Sequence, residues 1–340
     1  MRVECSQAVE GPVRIGRLTK ALVHRLERGD IAVIAHTDLD GLAAEDLVSC
    51  GVVAVLNTHD SATGRLPVRG PGVLLQSGVP LVDCLGVELL DSLRDGESVT
   101  VSGAAVSRRG VAIATGRELT SAVMGRLAAA GELELRGALR EFADNTLKHA
   151  SSELDLLFER VRVPDIDIDL HGRPCVVLAR APGYREDFLW AASRLSLRRE
   201  AALIAVDGAA DWALACGWTP DVVVGDMDSA SESALRCGAR LVVHASVDGD
   251  APGAYRVEAL GIGCVLLPCR GTSLDAALLL AAELGAEPIV AVGFPRGALD
   301  YLERGRAGMA SSWLVRLRLG DRIVDANGLA RLAQWMQVDG

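Results

Sequence analysis

The sequence has few aromatic side chains and no long apolar run. Phe, Trp and Tyr make up 4% of the 340 residues, so the cores must be filled by Val, Leu, Ile and Ala. No stretch approaches the roughly 18 uninterrupted apolar residues of a membrane helix, and the first residues lack the apolar core of a secretory signal. At this length we expect two domains rather than one core.

A basic surface is also lacking. The formal net charge is −10 and the basic residues are scattered, whereas nucleic-acid binding needs a clustered basic face. Nucleic acid is therefore excluded as a partner. The eight cysteines include no CxxC pair, and Cys175 and Cys264 stand inside apolar runs, which is typical of reduced thiols in a core. These features predict a cytoplasmic protein.

Residues 1–118 predict a small α/β domain. Apolar runs at 31–36 and 52–58 enclose a helical pattern, and glycine-punctuated alternation over 95–116 predicts a β-hairpin region of two or three antiparallel strands. The order of elements from Val53 to Gly116 is similar to the swivelling domain of phosphoenolpyruvate-utilising enzymes. That domain carries a phosphorylatable histidine in its loop. His59 lies too early in the corresponding loop to match that histidine.

Residues 119–162 predict a long linking helix. A narrow heptad seam runs along it, formed by Ala143, Leu147, Ala150, Leu154, Leu157 and Val161. Packing within the chain's own domains and contact with a second copy both explain this seam, and the two alternatives stay open. A homodimer is the predicted oligomer.

Residues 163–325 predict an α/β domain in which strands alternate with helices, followed by a tail at 326–340. The strand-like runs are apolar without polar alternation, which indicates a doubly wound, mostly parallel sheet that is covered on both faces. Ligands bind outside the carboxyl ends of the strands in such a sheet.

Acidic residues fall at those strand ends. Asp207 and Gly208 follow one apolar run, and Asp226, Asp228 and Ser229 follow the next. Two carboxylates one residue apart at the tip of a buried strand repel each other, and a hard cation such as Mg²⁺ would stabilise both. In the alternative interpretation they are turn and cap residues, with Ser229 capping the next helix.

The segment AVDGAADWALACGWTPDVVVGDMDS (205–229) closely resembles the thiamin pyrophosphokinase pattern, in which an ADGGA-like turn precedes a PDxIxGDxDS run. That family transfers pyrophosphate from ATP with Mg²⁺. The resemblance implies that Asp207 lies near the phosphates and that Asp226 and Asp228 are catalytic metal ligands. It also implies Mg²⁺ and ATP, or another nucleotide, as cofactors.

Later residues depart from that family. Its D-x-T-D motif corresponds to CRGTSLDAALLLA (269–281), where Thr272 remains but Arg270 or Gly271 and Ser273 stand in place of the two acids. Only Asp275, one turn further in, keeps a carboxylate, and Thr272 and Asp275 stay candidate cofactor-binding residues. Only about 20 residues follow the last predicted helix, too few for a separate thiamin-binding domain. An ordinary thiamin kinase is not expected, and whether pyrophosphoryl transfer survives stays open.

A longer resemblance, over roughly 300 residues, is to the SteA-type proteins, a bacterial family described as cytokinetic-ring proteins. The segments that carry it include GDIAVIAHTDLDGLAAEDLV (29–48), FADNTLKHASSE (142–153), VVVGDMDSASESALRCGARLVVHA (222–245), GTSLDAALLLA (271–281) and ERGRAGMASSWLVRLRLGDRIVDANG (303–328). It implies a regulator of cell division and the cell envelope, with a division or membrane partner protein. Many members end in a hydrophobic membrane segment, and the residues before Gly340 contain none. We therefore expect a cytoplasmic protein, with recruitment to the membrane or division site as the alternative.

Two further sets of residues suggest ligand contacts. Arginines near strand ends are candidate anion partners, and Arg270 is the most specific because it replaces an acid; the others are Arg180, Arg185, Arg296, Arg304 and Arg306. His36, Asp38 and Asp40 resemble the first motif of DHH phosphoesterases, but no two histidines are adjacent. We therefore favour Asp38 or Asp40 as a helix cap and His36 as a polar strand-end residue.

Overall fold

The computed structural model describes residues 8–194 and 200–338. The chain forms two compact units, of which the first comprises Met1–Glu141 with Leu302–Arg306, and the second comprises Phe142–Tyr301 with Ala307–Gly340. Each unit has its own sheet. The predicted α/β class is confirmed.

The first unit contains a mixed sheet of eight strands. Its strands are β1 (Val9–Gly16), β2 (Ile31–Ile34), β3 (Ala54–Asn57), β4 (Leu81–Asp83), β5 (Ser98–Ser102), β6 (Ala105–Arg108), β7 (Val111–Thr115) and β8 (Arg117–Glu118). Helices α1 (Thr19–Leu22), α2 (Gly41–Ser49), α3 (Gly70–Gln76) and α4 (Glu88–Ser92) connect them.

The sheet order of the first unit is β7-β6-β5-β1-β2-β3-β4-β8. Strands β1 to β4 are mutually parallel, and β5, β6 and β7 form the antiparallel region that the sequence predicted. Strand β1 was not predicted, because its sequence VEGPVRIG mixes charge, proline and glycine with few apolar residues.

Helix α5 (Ser121–Ser152) has 32 residues and confirms the predicted long helix. It was predicted to reach about residue 161, but it ends at Ser152, because the chain then turns so that Leu156 is buried in the core of the second unit. The residues of the heptad seam therefore do not form one continuous buried face. Ala150 is buried, whereas Leu147 and Leu154 are 59% and 49% exposed.

The second unit contains a seven-stranded sheet in which every pairing is parallel. Its strands are β9 (Cys175–Leu178), β10 (Ala202–Val206), β11 (Val222–Gly225), β12 (Arg240–Ala245), β13 (Val265–Pro268), β14 (Ile289–Val292) and β15 (Ile323–Asp325). The helices are α6 (Tyr184–Arg194), α7 (Ala209–Ala215), α8 (Glu232–Leu235), α9 (Pro252–Ala259), α10 (Ser273–Glu283), α11 (Ala298–Leu302), α12 (Ala310–Leu319) and α13 (Leu329–Val338).

Both faces of this sheet are covered, as the sequence predicted. Residues of α10 and α12 pack on one face, and residues of α7, α8 and α9 pack on the other. The strand order is β13-β12-β11-β10-β9-β14-β15. The chain adds β10 to β13 on one side of β9 and then β14 and β15 on its other side, so the order of connection reverses between β9 and β14. The carboxyl ends of β9 and β14 therefore flank the position where such sheets bind ligands, and β10 is the next strand beside β9.

Several helices differ from the sequence-based expectation. The helix predicted over 303–316 is confirmed from residue 310 onward, but its predicted start is wrong. Helix α12 begins at Ala310, because the preceding residues contain a turn and Gly305 at a φ of 67°. The predicted tail contains α13. The helix predicted near 186–198 corresponds to α6, and residues 195–199 lie outside the described part of the chain. In the described residues, no helix combines the length and apolar character needed to span a bilayer.

Gly293 provides a test of the close strand packing at the reversal point. It has a φ of 72°, and an ideal Cβ there would lie 2.0 Å from the carbonyl oxygen of Ala179. We expect Gly293→Ala to lower the free energy of unfolding of the second unit by about 2–4 kcal/mol, from left-handed backbone strain and from overpacking. Urea denaturation would measure this change.

Gly261→Ala is the matched control. Gly261 has a φ of 68°, but an added Cβ meets nothing within 4 Å. Only the strain of about 1 kcal/mol should remain. Equal losses for the two variants would contradict a steric requirement at Gly293.

Candidate functional site

The predicted acidic residues Asp207, Asp226 and Asp228 lie at one edge of the second sheet. Strands β10 and β11 are paired in parallel, with Val206 opposite Val224. Asp207 follows β10, and residues 226–230 form a loop after β11, which we call the acidic loop. This places the three carboxylates at the carboxyl ends of adjacent strands.

A direct hydrogen bond joins the two turns. The amide of Met227 donates to Oδ1 of Asp207 at 2.9 Å. Gly225 allows this approach, because an ideal Cβ at that position would lie 2.0 Å from the same oxygen. Asp207 and Met227 both have a positive φ, at 48° and 59°. Strained backbone of this kind persists only where the surroundings determine it.

The acidic loop is also held from helix α9. The guanidinium of Arg256 donates to the carbonyl oxygens of Met227 and Ala230, the latter at 2.8 Å. Gly253, at the start of the same helix, packs so closely that an ideal Cβ would lie 2.3 Å from the carbonyl oxygen of Asp226. Met227 is fully buried, whereas Asp226 and Asp228 are exposed. The loop thus presents both carboxylates from a fixed backbone.

Electrostatic repulsion is concentrated on Asp207. Burial raises its pKa to about 7 from an ordinary value of 3.8, and the negative charges of Asp226 and Asp228 act in the same direction. The Met227 hydrogen bond and the positive charge of Arg180 oppose the increase. A cation bound among these carboxylates would relieve this repulsion.

Gly208 and Ser229 have structural roles at the same edge. The amide of Gly208 donates to the buried hydroxyl of Ser229 at 3.2 Å. The expectation that Ser229 caps the next helix is wrong, because α8 is capped by Ser231, whose hydroxyl accepts from the Ala234 amide at 3.1 Å. Asp211 in turn holds Ser231, because its carboxylate accepts a hydrogen bond from the Ser231 amide at 3.1 Å. The sequence did not predict this contact.

The remaining predicted residues, Arg270, Thr272 and Asp275, lie at the start of α10. Helix α10 packs on β10 and β11. Thr272 caps this helix, and the Oδ2 atom of Asp275 accepts from the Thr272 amide, the Thr272 hydroxyl and the Ser311 hydroxyl, each at 2.8 Å. Asp275 is 1% exposed, whereas Arg270 is exposed. The carboxylate of Asp275 is therefore committed to the helix cap.

No preformed three-ligand metal centre involves the acidic loop. In the described residues, three ligand atoms within 4.8 Å of one another occur only at Asp60, Asp83 and Cys84, in the first unit. Arg117 already binds Asp83 through two nitrogens, at 3.0 and 2.7 Å, and binds Asp60 as well. Burial and the charge of Asp83 raise the pKa of the Cys84 thiol. An arginine thus occupies the place that a metal would need.

The motif with His36, Asp38 and Asp40 also has structural contacts. Asp40 caps α2 by accepting from the Ala43 amide at 2.9 Å, and Asp38 accepts from the amide of Thr63 at 2.7 Å. Burial lowers the pKa of His36, although Asp40 and Asp38 oppose this. The helix-cap interpretation is confirmed for Asp40.

Neither protein-family models nor curated protein sequences match this chain.

The raised pKa of Asp207 predicts a pH dependence of stability. The folded state keeps a proton up to about pH 7 that the unfolded chain loses near pH 4. In metal-free buffer the stability of the wild type should therefore fall between these values, by up to about 1.4 kcal/mol per pH unit. Asp207→Asn should remove this slope. Urea denaturation from pH 5 to 8 in chelator measures it, with the exposed Asp248→Asn as control. Parallel profiles for wild type and Asp207→Asn would contradict the assignment.

Arg256 provides a second test, of how the acidic loop is held. Arg256→Gln should raise amide hydrogen exchange over residues 226–231 about tenfold, because two hydrogen bonds to carbonyl oxygens are weakened. Exchange in β12 should not change. The control is Arg173→Gln, an exposed arginine just before the amino end of β9, at the opposite edge of the sheet. Unchanged exchange in the acidic loop would mean that Arg256 does not hold it.

Proposed function

We propose that the second unit binds a nucleotide or another phosphate ligand together with Mg²⁺, and that the protein is regulatory rather than an ordinary kinase. The observation that carries this proposal is the arrangement of Asp207, Asp226 and Asp228. Burial and mutual repulsion raise the pKa of Asp207 to about 7. Groups perturbed in this way at the carboxyl edge of a parallel sheet are candidates for a functional site.

Mg²⁺ suits the two exposed carboxylates. It is usually bound through one or two carboxylates and keeps waters and phosphate oxygens as its other ligands. A loop with two carboxylates, rather than a closed set of three, leaves room for those ligands. Positive charge lies beside it, since an ideal Cβ on Gly208 would lie 3.0 Å from Cζ of Arg180. Arg180 is in place to contact a phosphate bound by the metal.

The alternative function is an active Mg²⁺-dependent and ATP-dependent pyrophosphokinase that acts on a small alcohol, as in thiamin pyrophosphokinases. The VDGAA and GDMDS segments favour it. The start of α10 weighs against it, because Arg270 and Ser273 replace two motif acids and Asp275 is engaged by the helix cap. Neither acid of that family's later motif is therefore present, and the one carboxylate left nearby is already hydrogen-bonded.

A role in cell division or the cell envelope rests on the resemblance to SteA-type proteins. In this proposal, ligand binding to the second unit changes how the protein interacts with a division or membrane partner protein. The exposed leucines Leu147 and Leu154 favour a homodimer contact along the second half of α5 and the turn after it.

The test is calorimetric titration of ATP, ADP and thiamin into the full chain, with Mg²⁺ and with chelator, followed by an assay for AMP. We expect nucleotide binding that weakens at least tenfold without Mg²⁺, and no AMP. The Asp226→Asn, Asp228→Asn double variant should lose this binding, whereas Asp248→Asn should not. AMP release that depends on the alcohol would favour the pyrophosphokinase, and unaltered nucleotide binding by the double variant would exclude both functions.

A further inference from the structure

Two arginines converge at the carboxyl end of the second sheet, away from the acidic loop. Arg296 follows β14, and Arg331 lies in the first turn of α13. Both approach Gly328, where an ideal Cβ would lie 3.6 Å from a guanidinium nitrogen of Arg296 and 3.6 Å from one of Arg331. Two positive charges therefore face one small region of backbone.

The backbone under these arginines is rigidly held. The side chain of Asn327 accepts from the Gly293 amide and donates to the Phe294 carbonyl oxygen, both at 2.7 Å. The buried carboxylate of Asp187 accepts from the amide of Gly328 at 2.7 Å. Asn327 also fixes Arg296, whose Nη1 donates to its carbonyl oxygen at 3.0 Å.

The two nearby carboxylates, Asp187 and Asp300, accept from backbone amides rather than from the arginine side chains. Asp187 accepts from backbone amides of the turn that begins α13, and Asp300 accepts from the amides of Arg296 and Gly297 at 3.0 and 3.1 Å. Within the described residues, neither Arg296 nor Arg331 forms an ion pair with a carboxylate. Neither guanidinium group is therefore engaged directly by a carboxylate, and Arg296 is oriented by its hydrogen bond to Asn327.

A third arginine, Arg316, lies at the same end of the sheet, where it forms an ion pair. Arg316 contacts Asp325, at the end of β15, through Nη1 at 3.4 Å. Its Nη2 atom is buried without a hydrogen-bond partner. A buried guanidinium nitrogen that lacks an acceptor is costly.

We propose that Arg296 and Arg331 form a phosphate-binding subsite at the carboxyl ends of β14 and β15. Paired guanidinium groups suit phosphate, because each presents a planar set of donors to its oxygens. The exposed position of both side chains leaves the subsite accessible to a small anionic ligand.

The position of the subsite also restricts the ligand. Strand β9 separates β10 from β14, so with neighbouring strands about 4.8 Å apart the subsite lies on the order of 10 Å from Asp207. A ligand that spans both must carry a second phosphate group, as a bisphosphorylated nucleoside does. This extension to one spanning ligand rests on the proposed function, whereas anion binding by the arginine pair does not. Two arginines favour an anionic ligand, so we do not expect this subsite to bind thiamin, which is a cation.

The probe is inorganic pyrophosphate, titrated into the full chain in chelator so that no metal is present at the acidic loop. We expect binding that Arg331→Gln weakens at least tenfold and that Arg331→Lys weakens less, because the charge is kept. Arg173→Gln removes the same charge at the opposite edge and should leave binding unchanged.

The outcomes separate this inference from the proposed function. Pyrophosphate binding that depends on Arg331 supports the subsite, even if no nucleotide binds with Mg²⁺. Absence of binding at millimolar pyrophosphate overturns it, as does an equal loss in the Arg173→Gln variant. Arg331→Gln replaces an exposed side chain, so thermal denaturation that matches wild type confirms that a loss is local.

Discussion

The hydrogen bond from the Met227 amide to the Asp207 carboxylate links the two acidic turns of the second unit. It forms only because Gly225 has no side chain and because β10 and β11 are neighbours in a parallel sheet. The bond orients the acidic loop, which Arg256 then holds from the other side. Charge repulsion at this edge, and the proposed binding of a metal and a phosphate, depend on that fixed backbone.

The second sheet was predictable because its strands are continuous apolar runs that only a sheet covered on both faces can bury. Strand β1, which pairs with β2 and β5, was not predictable, because Glu10, Gly11 and Pro12 are residue types that are uncommon in strands. The end of α5 was also missed. A heptad pattern continues past Ser152, but tertiary packing turns Leu156 inward and ends the helix. Local periodicity does not contain that information.

At the candidate site, the sequence predicted where the polar residues would lie better than what they would contact. Asp207, Asp226 and Asp228 do lie together at the strand ends. Asp275 was treated as a remnant ligand, although its spacing from Thr272 is that of a helix capping box. Two serines stand after β11, and sequence alone did not distinguish the cap Ser231 from Ser229. The convergence of Arg296 on Arg331 was invisible, because 35 residues of chain separate them.

The proton held by Asp207 gives the proposed metal site a chemical competitor. With a pKa of about 7, this carboxyl is mostly protonated in mildly acidic solution. A cation that uses the carboxylate must expel the proton, so its uptake is an exchange reaction. Each fall of one pH unit below 7 then reduces the apparent metal affinity about tenfold. Acidification and chelation would thus act in the same direction on the proposed metal site.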